Sequence, residues 1–197
     1  MRKTNVLILT LIAVITLVFS MSCVSADGGG AASGEVVVQA EKFTEQEGGK
    51  TQFMDDRVAS DRCIAYWDAE GHNLMWEVNI PKDGDYKIVL RYCHGRKALV
   101  YRSFLVDGAA PVPTLAKFGL MPTGGWGKTG NDWANYTILD EAGNPVIITL
   151  TAGTHTIKME NLGADAGERA SVNFDGFGIF TPDADPNILG VPGVELE

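Results

Sequence analysis

Short stretches in which apolar residues alternate with polar ones recur along most of this chain, and turn sequences separate them. Asp85–Tyr92 has the period-two pattern of a strand with one buried face, and Pro81–Gly84 before it has the composition of a turn. Asp107-Gly108 is a typical hairpin turn. No stretch has the spacing of a convincing amphipathic helix, so the sequence predicts an all-β, antiparallel β-sandwich.

The other predicted strands share this alternation or are rich in β-branched and aromatic residues. They are Glu35–Phe43, Leu74–Ile80, Val100–Val106, Trp133–Leu139, Val146–Leu150, Thr154–Glu160 and the closing strand, Ser171–Phe180. Ala109–Asp132 is rich in Gly and Pro and is predicted to be a long loop. Loops of that length inside a domain are usually functional.

Both ends of the chain are predicted to lie outside this domain. Residues 1–26 combine a basic start, an apolar run and a small-residue cleavage site, which indicates a signal peptide and a secreted protein. A lipid anchor on Cys23 at the cell surface is the alternative. Residues 27–34 are predicted to be a flexible linker, residues 35–181 one domain, and residues 182–197 a C-terminal tail or linker.

The charge balance limits the possible partners. The chain has 16 Lys and Arg against 25 Asp and Glu, a formal net charge of −9. Binding to nucleic acid phosphates needs an excess of basic residues, so we expect no nucleic acid partner. An acidic surface suits an exported protein that holds a divalent cation, and we expect a monomer.

Cys63 and Cys93 remain once the predicted signal peptide is removed. An oxidising compartment favours a disulfide between them. Two buried thiols are the alternative, since cysteine is common in strand interiors.

Polar residues at two strands indicate a cation site. Gln39 and Glu41 are two apart, so on a strand their side chains share a face, and neighbouring oxygen ligands suit a hard cation such as calcium. Asp175 is the candidate third ligand, because it and Asn173 interrupt an otherwise apolar closing strand, where a buried polar group needs a partner. The alternatives are a solvated strand end and an ordinary polar surface.

Aromatic residues in loops indicate a binding surface. Tyr66 and Trp67 lie at a loop edge, and Trp126 has glycines on both sides that leave its indole little to pack against. A sugar ring offers an apolar face to an indole and hydroxyl groups to Asn and Gln side chains. For Trp67, ordinary core packing remains an alternative.

Catalytic motifs are poorly represented. The sequence has no G-x-S-x-G and no H-E-x-x-H. Asp68 and Glu70 could imitate a glycosidase pair, but they are adjacent on one short loop and not opposed across a cleft.

Several pieces of the sequence, taken in order, resemble one kind of module. The carbohydrate-binding modules of families 6 and 35 are similar to this chain at VVQAEKF (37–43), WEVNIPKDGDYKIVLRY (76–92), FLVDGA (104–109), TGGW (123–126), LTAGTHTIKMEN (150–161) and VNFDGFGIF (172–180). These are galactose-binding-like β-sandwiches of the jelly-roll type. No single piece is specific, but the ordered set covers nearly the whole domain.

The resemblance implies roles for individual residues. A structural calcium would be held by Gln39, Glu41 and Asp175. The bound sugar would be contacted by Trp67 with its neighbour Tyr66, Trp126, Asn173 and Gln52. The run from Tyr66 to Glu70 departs from the usual family sequence, and Gln52 stands where family 6 often has Glu. His94, Arg96 and Lys97 lie on a loop that could approach the cleft and favour an acidic sugar.

The expected function is therefore a non-catalytic, calcium-stabilised module that binds a polysaccharide or oligosaccharide in a loop-lined cleft, with a companion glycan-degrading enzyme as a further partner. One alternative is a small secreted glycoside hydrolase or polysaccharide lyase that uses Asp68 and Glu70. Another is an adhesive surface domain whose cleft is vestigial.

Overall fold

Thirteen strands lie in the part of the chain that a computed structural model describes, residues 34–189. They are β1 (Val36–Gln39), β2 (Glu45–Glu47), β3 (Gln52–Met54), β4 (Cys63–Ala65), β5 (Asn73–Ile80), β6 (Gly84–Cys93), β7 (Val100–Arg102), β8 (Leu105–Val106), β9 (Phe118–Leu120), β10 (Ala134–Thr137), β11 (Ile147–Leu150), β12 (Gly153–Ala164) and β13 (Asn173–Phe180). The helical elements are short: one α-helix, α1 (Pro113–Ala116), and the 3-10 turns Ala40–Lys42, Gly130–Asp132, Asp165–Gly167 and Pro186–Ile188.

The strands form two antiparallel sheets. The first has the order β10-β6-β13-β4-β3, with β1 also paired to β13 and β11 to β6. The second has the order β2-β5-β12-β7-β9, with β8 also paired to β12. The predicted all-β, antiparallel sandwich is confirmed.

The apolar core lies between the sheets and follows from the alternation in the sequence. In β5, Leu74, Trp76, Val78 and Ile80 are buried, and the residues between them are more exposed. The Trp76 ring packs edge-on against Phe177 of β13, with ring centroids 5.3 Å apart. Each such side chain contributes about 1.5–3 kcal/mol on burial, so this alternation explains why the sheets associate.

Strand β13 is buried along its whole length. Other strands flank both of its edges, Phe177 faces the core between the sheets, and Leu189 packs with Phe180. Its pairing with β6 shifts by one residue between Phe174 and Gly176, which places a bulge at Asp175. Bulges redirect a side chain locally. The predicted closing strand is therefore the centre of the first sheet.

The turn at Asp107-Gly108 is confirmed. Both residues have positive φ, 50° and 83°. Val106 N donates to Ala109 O and Ala109 N donates to Val106 O, at 2.8 and 3.1 Å. A two-residue turn with both φ values positive matches the right-handed twist of the strands that it joins.

The prediction of an unstructured loop over Ala109–Asp132 is wrong in part. This stretch contains α1, the strand β9 and a 3-10 turn. The strands β2, β3 and β4 were also missed, because three residues are too few to reveal an alternation. Of the predicted tail, residues 182–189 lie against the first sheet, where Leu189 packs with Val89 and Phe180.

Cys63 and Cys93 are both buried and not bonded to each other. The preference for a disulfide is wrong in this structure, and the alternative of two buried thiols is the one observed. Burial raises the pKa of the Cys63 thiol to about 12 and also raises the pKa of Cys93. Neither thiol is therefore a reactive thiolate at neutral pH.

The predicted signal peptide (residues 1–26), the Cys23 anchor, nearly all of the predicted linker and residues 190–197 lie outside the described residues. Within residues 34–189, no helix is long and apolar enough to span a membrane.

Candidate functional site

A cleft of about 230 Å³ lies at one end of the sandwich. It forms where β4 ends and β13 begins. These antiparallel strands pair at Ile64 and Phe174, so the residues that follow β4 and those that precede β13 lie at the same edge of the sheet. Its lining includes Tyr66, Trp126, Asn173, Arg57, Arg96 and Arg169. Three residues predicted to contact a sugar therefore meet in one cleft.

Tyr66 owes its exposure to an unusual backbone conformation. Its φ is 58°, a region that residues other than Gly seldom adopt, and its side chain is 53% exposed. The strand β4 ends at Ala65, and the next residue, Tyr66, lines the cleft. Backbone strain of this kind costs about 1–3 kcal/mol and is often found at binding sites.

The prediction that Trp67 stacks on a sugar is wrong. Its side chain is fully buried, its ring lies 5.8 Å from that of Phe174, and its Nε1 donates to His72 O at 2.9 Å. Tyr66 and Trp67 are consecutive, yet one ring is exposed and the other lies in the core. Trp67 is a core residue, and Tyr66 is the exposed aromatic of this pair.

Trp126 is half-buried and lines the cleft. It lies against Gly95, where a Cβ atom would approach its Nε1 to 2.6 Å, so only glycine permits this contact. The Arg96 guanidinium covers its ring at 5.3 Å. The indole is thus fixed in orientation by backbone and guanidinium, with the remainder of its surface free.

Asn173, which is predicted to contact the bound sugar, is a buried polar residue that lines the cleft. It is 4% exposed, and its Nδ2 donates to Trp126 O at 2.8 Å. Its Oδ1 accepts no hydrogen bond from any described residue. The amide therefore both positions the Trp126 loop and leaves an acceptor for a ligand hydroxyl.

Gln52 lies on β3 opposite Ala65 and is exposed, but it does not line the cleft.

The three basic residues of the loop at 94–97 lie in different environments. His94 is fully buried and stacks on Tyr92, with ring centroids 5.9 Å apart. Arg96 lines the cleft, whereas Lys97 is exposed outside it.

Sequence reasoning missed Arg102, which organises the chain on either side of the cleft. It is fully buried, and its Nη2 donates to Trp67 O at 3.0 Å and to Ala170 O at 2.7 Å. Its Nη1 donates to Tyr101 O at 2.8 Å and to Asn161 Oδ1 at 3.0 Å. Trp67 adjoins Tyr66 and Ala170 adjoins Ser171, so one guanidinium ties together two segments that line the cleft.

Burial lowers the pKa of Arg102 to about 9, because a buried cation loses its hydration and carbonyl groups replace only part of it. The sequence did contain a signal for this position. Val100 and Arg102 are two apart on β7 and share its buried face. An arginine at an inward position of a strand needs several acceptors.

Gln39 and Glu41 do lie side by side, as the calcium prediction requires. Both are 8% exposed, and a terminal atom of the Gln39 amide lies 3.1 Å from Glu41 Oε1 and 3.3 Å from Oε2. Burial raises the pKa of Glu41, and Glu41 forms no ion pair with a described residue. In the favoured orientation the Gln39 amide nitrogen donates to the Glu41 carboxylate. Amide and carboxylate oxygens are ligands that a hard cation prefers, but these two side chains alone are too few to complete its shell.

Asp175 adjoins Gly176, which pairs with Gln39, but its carboxylate is held by other residues. Its Oδ2 accepts from Arg91 Nε at 2.7 Å and from Ser60 Oγ at 3.0 Å, and Ser60 N donates to both of its oxygens. Loss of hydration on burial raises the pKa of Asp175, and the contacts with Ser60 and Arg91 offset only part of this effect. Among residues 34–189 no group of three or more His, Cys, Asp or Glu side chains could hold a metal ion.

Asp68 and Glu70 are not arranged as a catalytic pair. Asp68 lines the cleft, and its carboxylate forms an ion pair with Arg169. Glu70 is exposed, adjoins Gly163 and does not line the cleft. The two acids therefore do not face each other across the cleft.

The comparisons with known proteins show the fold. No protein-family model matches the chain. The family 35 carbohydrate-binding module from Clostridium thermocellum is 21% identical, with a TM-score of 0.56 over 75% of this chain and 98% of that one. A family 6 module of Cellvibrio mixtus lichenase 5A, solved with cellotriose, is 23% identical, with a TM-score of 0.53 over 74% of this chain and 96% of that one.

Similarity also extends to parts of larger enzymes. A 1,6-alpha-glucosyltransferase from Sporosarcina globispora is 30% identical over 133 residues, which are 66% of this chain but 9% of the enzyme. The isomalto-dextranase of Arthrobacter globiformis T6, solved with panose, has a TM-score of 0.54 at 15% identity over 74% of this chain and 23% of that one. The chain thus has the two-sheet fold of the carbohydrate-binding modules of families 6 and 35, as its sequence predicts.

Proposed function

We propose that this chain is a non-catalytic module that binds a polysaccharide or oligosaccharide in the cleft. The observation that carries the proposal is the placement of Tyr66, exposed, and Trp126, half-buried, beside an Asn173 amide oxygen that has no partner among the described residues. Aromatic rings supply apolar contact area, and a fixed amide supplies orientation. Burying about 100 Å² of an apolar sugar face would contribute about 2–3 kcal/mol.

Affinity is expected in the micromolar to millimolar range, because association costs offset much of that contact energy. Modules of this fold occur within larger enzymes, and the glucosyltransferase relative exceeds this chain many times in length. A companion carbohydrate-active enzyme is therefore the proposed partner. The role would be to hold that enzyme, or a cell surface, near a glycan.

The proposal includes a structural calcium at Gln39 and Glu41. Bound there, the ion would neutralise the buried Glu41 carboxylate, and main-chain oxygens would complete its shell. Asp175 would stay with Arg91 and stabilise the outer face of the first sheet.

A panel of immobilised polysaccharides tests the module directly. The chain is expected to be retained on at least one of them, with no release of reducing ends or unsaturated sugars on prolonged incubation. Sustained product release would show an enzyme. No retention on any glycan, by a folded chain, would refute the proposed binding function.

A further inference from the structure

Residues 182–189, the strap, lie across the outer face of the first sheet. Val89 of β6 and Phe180 of β13 alternate with residues of the core between the sheets, so both point to the opposite face. Leu189 is 2% exposed and packs with these two side chains in a separate apolar cluster. The strap is therefore docked by a buried side chain of its own.

Polar contacts hold the strap to the same face. Lys87 Nζ donates to Pro182 O at 2.8 Å and to Ala184 O at 2.5 Å. Because Lys87 is only 6% exposed, these carbonyls replace water that its ammonium group would otherwise bind. Asn135 Nδ2 donates to Leu189 O at 3.0 Å. The strap thus has one defined docked position, fixed near both of its ends.

The amide that holds the end of the strap also contacts Arg91. Asn135 Oδ1 accepts from Arg91 Nη1 at 3.2 Å, while its Nδ2 donates to Leu189 O. Arg91 Nε donates to Asp175 Oδ2 at 2.7 Å, and the Asp175 carboxylate accepts from Ser60 N. One guanidinium therefore joins the amide that holds the strap to the carboxylate that holds Ser60.

Arg91 also contacts the segment that carries Trp126. Its guanidinium lies over the Trp133 ring at 5.3 Å. The Trp133 ring packs against Gly127, where an added Cβ would approach it to 2.7 Å, and Gly127 O accepts from Val58 N at 2.8 Å. Since Gly127 directly follows Trp126, the position of the Trp126 indole in the cleft depends on the packing of Arg91.

We propose that docking of the strap and the arrangement of the cleft are coupled through Arg91, so that the strap acts as an effector of the cleft. With the strap docked, Asn135 restrains one end of the guanidinium, and its other contacts hold Asp175 and Trp133 in place. With the strap released, the Asn135 amide loses an acceptor, the restraint on Arg91 weakens, and both contacts loosen.

Coupling between two sites is reciprocal. A ligand that immobilises Trp126 would tighten the strap, and a partner that captured the strap would weaken binding in the cleft. The coupling itself needs no ligand, so it can be tested separately from the proposed glycan binding.

Amide hydrogen exchange of the full chain, followed by NMR without any glycan, tests the coupling. The Ser60 and Val58 amides report on the cleft side, because both are hydrogen-bonded there. Leu189→Gly removes the buried side chain of the strap and is expected to raise both exchange rates about tenfold, within the usual range for coupled sites. Asp183→Asn, at an exposed position of the strap, is expected to change neither.

A double-mutant cycle locates the connection. Asn135→Ser removes the amide between the strap and Arg91, and alone it should raise the Ser60 exchange rate about as much as Leu189→Gly. The two substitutions together should give no more than either one alone, because both cut the same connection.

Three results would overturn the proposal. Unchanged exchange at Ser60 and Val58 in both single variants would show that the strap and the cleft are independent. An equal rise across β5 of the second sheet would mean a general loss of stability without specific coupling. Additive effects in the cycle would exclude the connection through Asn135 and Arg91.

Discussion

Arg102 and Arg96 each lie against a tryptophan ring, at 4.4 Å from Trp67 and 5.3 Å from Trp126. In the interior, Arg102 donates four hydrogen bonds to the protein itself, and the ring beside it is fully buried. In the cleft, Arg96 donates one, and the ring beside it is partly exposed. The Nε of each arginine is buried without an acceptor, so the two differ in their terminal nitrogens. The same pair of side chains is structural where the protein supplies acceptors to both terminal nitrogens, and available for a ligand where it does not.

The largest effect is expected at the interior pair. Arg102→Met would leave the buried carbonyls of Trp67 and Ala170 with only the longer hydrogen bonds from Asn161. Each poorly satisfied buried acceptor costs about 1–3 kcal/mol, so we expect the free energy of unfolding to fall by about 3 kcal/mol. Urea unfolding measures it. Arg96→Met is the matched control, with an expected change below about 0.5 kcal/mol, and equal losses would abolish the contrast between the two pairs.

A third polar cluster, Gln39 and Glu41, extends the comparison, because it is buried like Arg102 and its carboxylate forms no ion pair with a described residue. Calcium at about 100 times its dissociation constant should stabilise the chain by about 2.7 kcal/mol, and a chelator should remove that gain. The measurement is the melting temperature with calcium and with chelator.

Glu41→Gln should make the melting temperature insensitive to calcium, while Glu45→Gln, at an exposed position on β2, should not. A wild-type melting curve that is the same in calcium and in chelator would remove the proposed ion.

Substitutions of Tyr66 test whether the cleft binds the glycan. Tyr66→Gly removes the ring and relieves a positive φ, so we expect glycan affinity to fall about tenfold, with stability unchanged or raised by up to about 1 kcal/mol. Tyr66→Phe should keep affinity within about twofold. Unchanged affinity in the glycine variant, measured by calorimetry, would place the sugar elsewhere.

The smallest effect belongs to a polar contact outside the cleft. His155 Nδ1 lies 2.7 Å from Asp107 Oδ2 and its Nε2 lies 2.9 Å from Thr151 O. Hydrogen bonding to Asp107 and Thr151 raises the pKa of His155. The stabilisation from this contact is therefore full below pH 6.5, the usual pKa of a histidine. It is lost as the pH rises through the raised pKa of His155 in the folded protein.

We expect that loss to be under about 1 kcal/mol, because the contact is partly exposed. The check is the free energy of unfolding from pH 5 to pH 9, compared with His155→Gln. If the two profiles are parallel, the contact contributes no pH dependence.

Most of the fold could be predicted from the sequence, because alternation and turns fix strands such as β5 and β6. The candidate site could be predicted only in part. Glycines flanking Trp126 correctly indicated an indole outside the core. Trp67 lies in the core although the consecutive Tyr66 is exposed, and the ion pair of Asp175 depends on Arg91, 84 residues away in the chain. Neither is visible in a local pattern.

The central claim is that Trp126, and not Trp67, contacts the glycan, and Trp126→Ala tests it most directly. Retention on the polysaccharide that binds the wild-type chain is measured by affinity electrophoresis, with urea unfolding of the same samples. We predict that retention is lost while the free energy of unfolding changes by less than about 1 kcal/mol. Undiminished retention of a folded Trp126→Ala chain would contradict the account.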